Sequence, residues 1–378
     1  MKTIAIFSGY HLPHLGGIER YTDNLSKKLI NKGYKVIIIS SDYQFDKNYY
    51  EEKDGITFFK IPVHKLFVSR YPIPNINKDY KEVLRKLEQF NIDAIIVNTR
   101  FHLTSLVGAK YGKKHNIPVF LIEHGSEHLT VDNKVLDYFG AIYEHVLTSY
   151  IKRFVNYYYG VSKEACNWQK HFKINSNGVW YNSINDFSSN YKIEKEKDKI
   201  NICYAGRILK QKGIIELINS FNKLSENYDN IYLHIAGDGN LLESLKKENN
   251  NERIIFYGKL DFNSLCELYT KTDIFVYAPN WPEGLPTSVL EAGLMECAVI
   301  SSPQGGNKEI VIHEENGLMV NSEEELTNAL KTLIDNPKSR NKYAKNLKRT
   351  ILDTFVWDKT SEKIINDIKT GIKNYENK

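Results

Sequence analysis

The sequence is poor in features that would make it easy to classify, and each absence excludes something. Its 378 residues hold four cysteines, Cys166, Cys203, Cys266 and Cys297, with no C-x-x-C pair among them. Neither a disulfide framework nor a zinc ribbon is indicated, and a reducing, cytoplasmic setting is expected. No apolar run approaches the ~18 to 20 residues that a membrane-spanning helix needs. The first such run, in "MKTIAIFSGYHLPHLGG", is short and is broken by His11, Pro13 and His14, so it reads as a β-strand and its loop and not as a secretory signal. No G-x-G-x-x-G follows that strand, which counts against a nicotinamide enzyme. A net charge of +5 is too small to argue for nucleic acid as a partner.

What is present reads as an α/β chain. Hydrophobic residues make up 42% of it and charged residues 26%. The length exceeds what one core usually supports, so two domains are the natural division. Strand-like runs alternate with helical patterns: "TIAIFSG", "KVIIISS", "ITFFKIP", "AIIVNT", "PVFLIEH" and "VNYYYGVS" in the first half, with "ERYTDNLSKKLINKG" and "KDYKEVLRKLEQFN" among the helical stretches. The second half repeats the alternation from "INICYAG" onward. Such alternation builds parallel sheets covered by helices on both faces. Apolar periodicity stops over residues 182–199, where a linker is expected. The sequence therefore predicts an α/β fold of two Rossmann-like, doubly wound parallel-sheet domains facing across a cleft, one over residues 1–185 and one over residues 186–356. Residues 357–378 read as a helix that crosses back onto the first domain. Residues 1–185 hold 25 Lys and Arg against 17 Asp and Glu, whereas the remainder is slightly acidic. The basic half suits either ordinary solvation or a meeting with an anionic surface or substrate.

Three stretches can carry chemistry. In "LPHLGGIERY" the pair Gly16-Gly17 precedes a helix and offers N–H groups and a positive helix end to an anion, although a plain tight turn reads the same way. In "YAGRILKQKGI" a strand ends at Gly206, and Arg207 and Lys212 follow before Gly213 opens a helix. A guanidinium fork and an ammonium at a strand's carboxyl end suit a diphosphate, with two solvated loop cations as the plain alternative. "WPEGLPTSVLEAGL" holds two glutamates among Gly, Pro, small hydroxyls and aliphatics. Glu283 falls in a strand-to-helix loop, and Glu291 lies about one turn into the helix, with Thr287 or Ser288 expected as its N-cap. Both would stand at the carboxyl end of a sheet, where open α/β folds place ligands. The basic, aromatic stretch over residues 64–75 reads as a surface loop, with an acceptor site or a membrane face as alternatives.

"AGRILKQKG" followed by "PEGLPTSVLEA" resembles the paired signature of retaining glycosyltransferases of the two-Rossmann-domain (GT-B) type, the group 1 or family 4 class that contains sucrose synthases and many bacterial lipopolysaccharide, capsule and glycolipid transferases. The likeness covers nearly the whole chain, through "GGIERY", "NIPVFLIEHGSEH", "YYYGVSKEACNW", "NSNGVWYNS" and "GGNKEIVIHEENGLMV". The E-x7-E spacing of Glu283 and Glu291 is its most specific mark, and "GLMECAVISS" departs from it by lacking the Gly and Pro usual before the next strand. The resemblance implies transfer of a hexose from a nucleotide-diphosphate sugar, a UDP-sugar first and GDP-mannose next, to a glycan or lipid-linked acceptor in cell-surface polysaccharide or glycolipid synthesis. It implies no cofactor, and a cytoplasmic protein that is peripheral on the inner membrane face if its basic half makes weak membrane contact. Arg207 and Lys212 would bind the diphosphate and neutralise the charge that develops on it. Gly16 and Gly17 would close on the same phosphates from the other domain. Glu291 would hold the ribose and Glu283 the transferred sugar. Backbone groups near Leu260 would meet the base, the N–H groups of Leu285 and Thr287 would support phosphate or sugar, and His124 would position the sugar. No D-x-D, the arrangement by which another transferase fold holds a divalent ion, occurs in the chain, so no metal is expected in the reaction. With no clear nucleophile in the sequence, retention points to a same-face attack assisted by the leaving phosphate. The rivals are a nucleotide-sugar epimerase of similar fold and a non-catalytic sugar-nucleotide binding protein.

Overall fold

The computed structural model describes all residues except 15, 65–71, 131–132, 283 and 378. The chain folds as two compact units, residues 1–181 with 357–378, and residues 182–356.

Unit 1 is built on strands β1 (Thr3–Phe7), β2 (Lys35–Asp42), β3 (Tyr50–Lys53), β4 (Ile56–Pro62), β5 (Ala94–Asn98), β6 (Val119–Glu123), β7 (Tyr157–Gly160) and β8 (Gly178–Val179), in the order β3-β4-β2-β1-β5-β6-β7-β8. All neighbours are parallel except the β3–β4 hairpin. Its helices are α1 (Gly17–Asn31), α2 (Lys78–Leu87), α3 (Leu103–His115), α4 (Lys134–Ile151), α5 (Lys163–Gln169) and, from the far end of the chain, α13 (Trp357–Glu376). Every residue of β1, β5 and β6 is buried, which is why these strands read as continuous apolar runs without alternation. The period of two still sorts them. Ile4, Ile6, Ile38, Ile96 and Phe120 pack with Tyr21 and Leu25 of α1 and with Trp357, Ile364 and Ile368 of α13. Ala5, Phe7, Ile37, Ile95 and Leu121 face the other way, against Val83 and Leu87 of α2 and Ala109 and Tyr111 of α3. The indole Nε1 of Trp180 donates to Asp367 of α13 at 2.8 Å.

Unit 2 holds β9 (Ile200–Ala205), β10 (Ile231–Ala236), β11 (Ile254–Gly258), β12 (Ile274–Tyr277), β13 (Ala298–Ser301) and β14 (Leu318–Met319), all parallel, in the order β11-β10-β9-β12-β13-β14. Its helices are α6 (Ile214–Ser225), α7 (Leu242–Glu248), α8 (Phe262–Lys271), α9 (Thr287–Leu294), α10 (Asn307–Ile310), α11 (Glu323–Asp335) and α12 (Pro337–Thr354).

The division falls at Tyr181/Asn182, four residues ahead of the expected boundary. Ile184 N–H donates to Phe355 O at 3.0 Å and the Asn182 amide to Leu285 O at 3.1 Å, which ties the start of the expected linker into unit 2. The rest of residues 186–199 is no free linker either. Phe187 is buried edge-to-face on Phe262 of α8, and Glu194 N–H reaches Thr270 O at 3.0 Å.

Candidate active site

In unit 2 the strand order reverses between β9 and β12, the first strand of the unit and the fourth. Loops leaving the carboxyl ends at such a switch point diverge and leave a crevice. The β9 loop carries Arg207 and Lys212. It closes tightly on its neighbours at two glycines: a Cβ on Gly213, whose φ is +73°, would lie 2.1 Å from Ala278 O, and one on Gly237, φ +143°, would lie 1.8 Å from Gly206 O. Asn280 N–H donates to Gln211 O at 3.1 Å, so the β9 and β12 loops form one wall. Gly213 is the N-cap of α6 and supplies no side-chain cap, so the first N–H groups and the positive end of that helix lie beside the two cations. Lys212 is 8% exposed, with Nζ 3.3 Å from the Tyr277 hydroxyl. Burial first, and then the Arg207 charge, lower its pKa to about 8. The hydroxyl of Tyr204 donates to Arg207 O at 2.7 Å and holds the loop from beneath.

The other predicted residues of this unit that the structure describes lie along the same edge. Helix α9 begins at Thr287 with Pro286 as N-cap, so neither Thr287 nor Ser288 caps it as expected. Proline fixes the turn by its φ of −76° and has no side-chain acceptor to offer the helix. Glu291 is 9% exposed on α9, and its charge, after burial, raises the hydroxyl pKa of Tyr269 on α8. Leu285 is buried, and its carbonyl accepts from Asn182. Gly306 N–H donates to Gly284 O at 2.7 Å, joining the β13 loop to the β12 loop. Leu260, half-buried, follows β11 on the outer side of the sheet. Glu283 lies outside the described residues, as do residues 65–71 of the aromatic, basic stretch.

Unit 1 repeats the switch between β1 and β5. Gly16 is the N-cap of α1, but a Cβ there would stand 2.3 Å from a carboxylate oxygen of Glu19, which is buried in the helix's first turn. The anion facing this helix end is the chain's own. Glu19 also meets His14 Nδ1 at 3.3 Å. His124, after β6, has a fixed tautomer. The Thr22 hydroxyl donates to Ile18 O, the Asn98 amide N–H donates to Thr22 Oγ1 at 2.8 Å, and Asn98 Oδ1 is left to accept His124 Nε2–H at 3.0 Å. Desolvation, with His102 adding to it, pushes His124 down to about 3, so the ring is neutral and Nδ1 is its acceptor.

Sequence reasoning missed the network beneath His124. Arg100, 1% exposed, spans two buried carboxylates at 2.5 Å each, Glu123 at the end of β6 and Glu144 on α4. Glu123 Oε1 accepts the N–H groups of His124 and Gly125, both at 3.1 Å, which sets the turn that presents the imidazole. A Glu and an Arg ending two apolar strands, "LIE" and "VNTR", were the available signal. Tyr277, now seen against Lys212, was legible only as a strand residue.

Residues 15–186 match a family model described as Glycosyltransferase Family 4, and residues 187–350 match one described as Glycosyl transferases group 1. An uncharacterized glycosyltransferase of Methanocaldococcus jannaschii is 28% identical over 375 residues, covering 94% of this chain and 95% of that protein. Among solved structures, the sucrose-phosphate synthase of Thermosynechococcus elongatus superposes with a TM-score of 0.75 at 16% identity over 98% of this chain and 99% of that one. Anabaena HepE, solved in complex with UDP, gives a TM-score of 0.75 at 17% identity, over 98% of this chain and all (100%) of that one. At such identities the structural likeness speaks for the fold.

Proposed function

Because the chain belongs to the glycosyltransferases of group 1 and family 4 type, we propose that it transfers a hexose, with retention, from a nucleotide-diphosphate sugar to a glycan or lipid-linked acceptor. The observation that carries this reading is the cation pair at the β9 loop. Lys212 is enclosed, stands close enough to Arg207 for the two charges to repel, and lies beside the start of α6. An anion between them relieves that repulsion, and a nucleoside diphosphate is the anion a sugar donor leaves behind. As the glycosidic bond breaks, negative charge grows on the departing phosphate oxygen, and preorganised cations in a poorly solvated loop stabilise it most there. This is the service a divalent ion gives where D-x-D holds one, so the transfer proceeds without it.

The other roles follow from the same frame. Glu291 accepts from the ribose hydroxyls and Glu283 from the hydroxyls of the transferred sugar. N–H groups of Leu285 and Thr287 support phosphate or sugar, and backbone atoms near Leu260 meet the base. His124 orients a sugar hydroxyl through Nδ1 and is no general base, since a ring whose pKa lies near 3 is too weak a base to take a proton at neutral pH. Gly16 and Gly17 serve phosphate only after Glu19 has turned aside. The acceptor takes its place on the face from which the diphosphate departs, and the leaving oxygen receives its proton. UDP is favoured over GDP because HepE binds UDP in its structure.

A lipid-linked acceptor is supported by α4. Glu144, Leu147, Thr148 and Ile151 of this helix are buried. Its opposite stripe is Val135, Phe139, Ile142 and Val146, between 43% and 66% exposed, where a solvated helix would carry charge. Lys134, Lys152 and Arg153 stand at its ends. That composition fits the headgroup boundary of an anionic membrane, and no helix among the described residues is long and apolar enough to cross one. We place the protein in the cytoplasm, peripheral on the inner membrane face.

Thermal stabilisation by UDP, GDP, ADP and their sugars, with release of nucleoside diphosphate followed with and without acceptor, tests the proposal. One nucleotide is expected to dominate, adding ~2.7 kcal/mol at about 100 times its Kd, with release that acceptor accelerates. Free or epimerised sugar formed indifferently to acceptor indicates an epimerase. Stabilisation without turnover indicates a binding protein.

A further inference from the structure

Behind the Arg100 network three histidines meet that take no part in the proposed transfer. His128 comes from the loop after β6, His145 from α4, and His171 from a single 3-10 turn, Lys170–Phe172, that follows α5. One ring nitrogen from each lies within 4.8 Å of the others. The Nε2 atoms of His145 and His171 are 3.1 Å apart, so at most one of them carries a proton toward the other, and the remaining one presents a lone pair. Two imidazole nitrogens bound to one tetrahedral zinc, at Zn–N distances of about 2.0–2.1 Å, stand roughly 3.3 Å from each other. The His145–His171 pair is already at that spacing.

His128 carries a further mark. Its Nδ1 lies 2.9 Å from Glu144 Oε2, and Glu144 is fully buried, held by Arg100 and by the N–H of Leu129 at 3.1 Å. A buried carboxylate that accepts Nδ1–H fixes the tautomer with a basic Nε2, the outer-shell arrangement of metal-ligating histidines. The walls are aromatic. Trp168 stacks on His171 with centroids 4.7 Å apart, and Phe172 lies against His145 at 4.8 Å.

We propose that His128, His145 and His171 form a binding site for a transition-metal ion of the zinc class, with Glu144 as the outer-shell carboxylate and a water as fourth ligand. Three imidazoles without a thiolate select borderline ions over magnesium or calcium. His145 and His171 are exposed, so their side chains close on the ion by rotation while His128 stays fixed. The ion ties α4, the β6 loop and the turn after α5 together. Through Glu144, Arg100 and Glu123 it stiffens the turn that presents His124, so its role is positional and the transfer chemistry stays elsewhere.

The test uses the untagged full-length protein, freed of metal by a chelator and titrated with zinc alone, read by calorimetry and by competition with a chromophoric chelator. The parent is expected to bind one zinc ion and to gain thermal midpoint on binding. H145A/H171A removes two exposed rings and leaves the fold intact, as far-UV circular dichroism and nucleotide-induced stabilisation check. It should bind zinc at least about 100-fold more weakly. Glu144→Gln, which keeps an acceptor for His128, should weaken zinc about 10- to 100-fold. A parent affinity within threefold of that of H145A/H171A, or a stoichiometry the substitutions do not change, overturns the site.

Discussion

At the switch point of unit 2 two cations, Arg207 and Lys212, stand together. At the switch point of unit 1 the Arg100 guanidinium is neutralised by Glu123 and Glu144, and the imidazoles of His102 and His124 are pushed down to about 4 and about 3. The sheets share one strand order around both points, so topology does not distinguish them. What differs is how the charge is arranged. Unit 2 gathers two cations on one loop, whereas unit 1 sets its cation between two of its own carboxylates and presents imidazoles pushed toward the neutral form, as hydroxyl-bearing ligands require.

The comparison breaks most severely if the compensation in unit 1 is removed. Arg100→Met leaves two buried carboxylates without their cation, and breaking a buried pair on one side costs about 3–5 kcal/mol. Denaturant unfolding should show that loss in the transition of unit 1, with nucleotide binding retained in whatever fraction stays folded. A loss below about 1 kcal/mol would mean that the network is solvated and that the contrast between the edges is not real.

Much of this was legible in the sequence, and the reasons for the rest are physical. The buried strands announced themselves because helices on both faces leave no polar alternation, and the C-terminal helix was marked by its apolar spacing after Trp357. Strand β3 was missed because all four of its residues, "YEEK", are exposed. It is a charged edge, paired through the Asp54-Gly55 turn with φ of +52° and +77°, and such an edge carries no hydrophobic signal. Helix α4 is hard to read from sequence because its outward stripe is apolar and its buried face carries Glu144 and Thr148, the reverse of the usual pattern. Arg207 and Lys212 can be paired from the sequence because both lie on one loop. Arg100, Glu123 and Glu144 come from three elements, and so do the three histidines, so only the fold assembles them.

At the edge of unit 2, Arg207→Ala and Lys212→Ala should each lower turnover by roughly 10²- to 10³-fold, the range for losing one group that stabilises developing charge. Turnover within threefold of the parent in both would leave the cation pair without its role. The pH dependence sharpens the assignment. Below about pH 8 Lys212 is charged, and a bound diphosphate favours that form, so nucleoside-diphosphate affinity should be flat there and fall as pH rises above it. Lys212→Arg, which stays charged, should flatten the profile.

The two glutamates of unit 2 divide the donor on our reading, and two ligands tell them apart. Glu291→Ala should weaken the bare nucleoside diphosphate and the full donor alike, since both contain the ribose, by about 1.5–3 kcal/mol for a charge-assisted hydrogen bond. Glu283→Ala should leave nucleoside-diphosphate affinity unchanged and reduce donor affinity or turnover. Calorimetry with both ligands reads this directly, and equal losses for both ligands in both variants would mean one shared structural role.

The smallest effect concerns the outer surfaces of the two units. Helix α11 of unit 2 turns Glu324, Glu325, Asn328 and Lys331 to solvent, as a water-facing helix should, whereas α4 of unit 1 turns out Val135, Phe139, Ile142 and Val146. If α4 meets a lipid surface, vesicles containing an anionic lipid should bind the protein weakly at low salt. Binding should fade as added salt shortens the screening length toward ~8 Å at physiological ionic strength, because the flanking Lys134, Lys152 and Arg153 then attract less. F139S/I142S removes apolar area from the stripe without touching the buried face and should cut vesicle binding by about tenfold, the equivalent of part of two apolar side chains. Turnover on a soluble acceptor should not change. Binding that is absent at low salt, or equal in the parent and F139S/I142S, would show that the apolar stripe on α4 has no part in membrane contact and that the acceptor is met in solution.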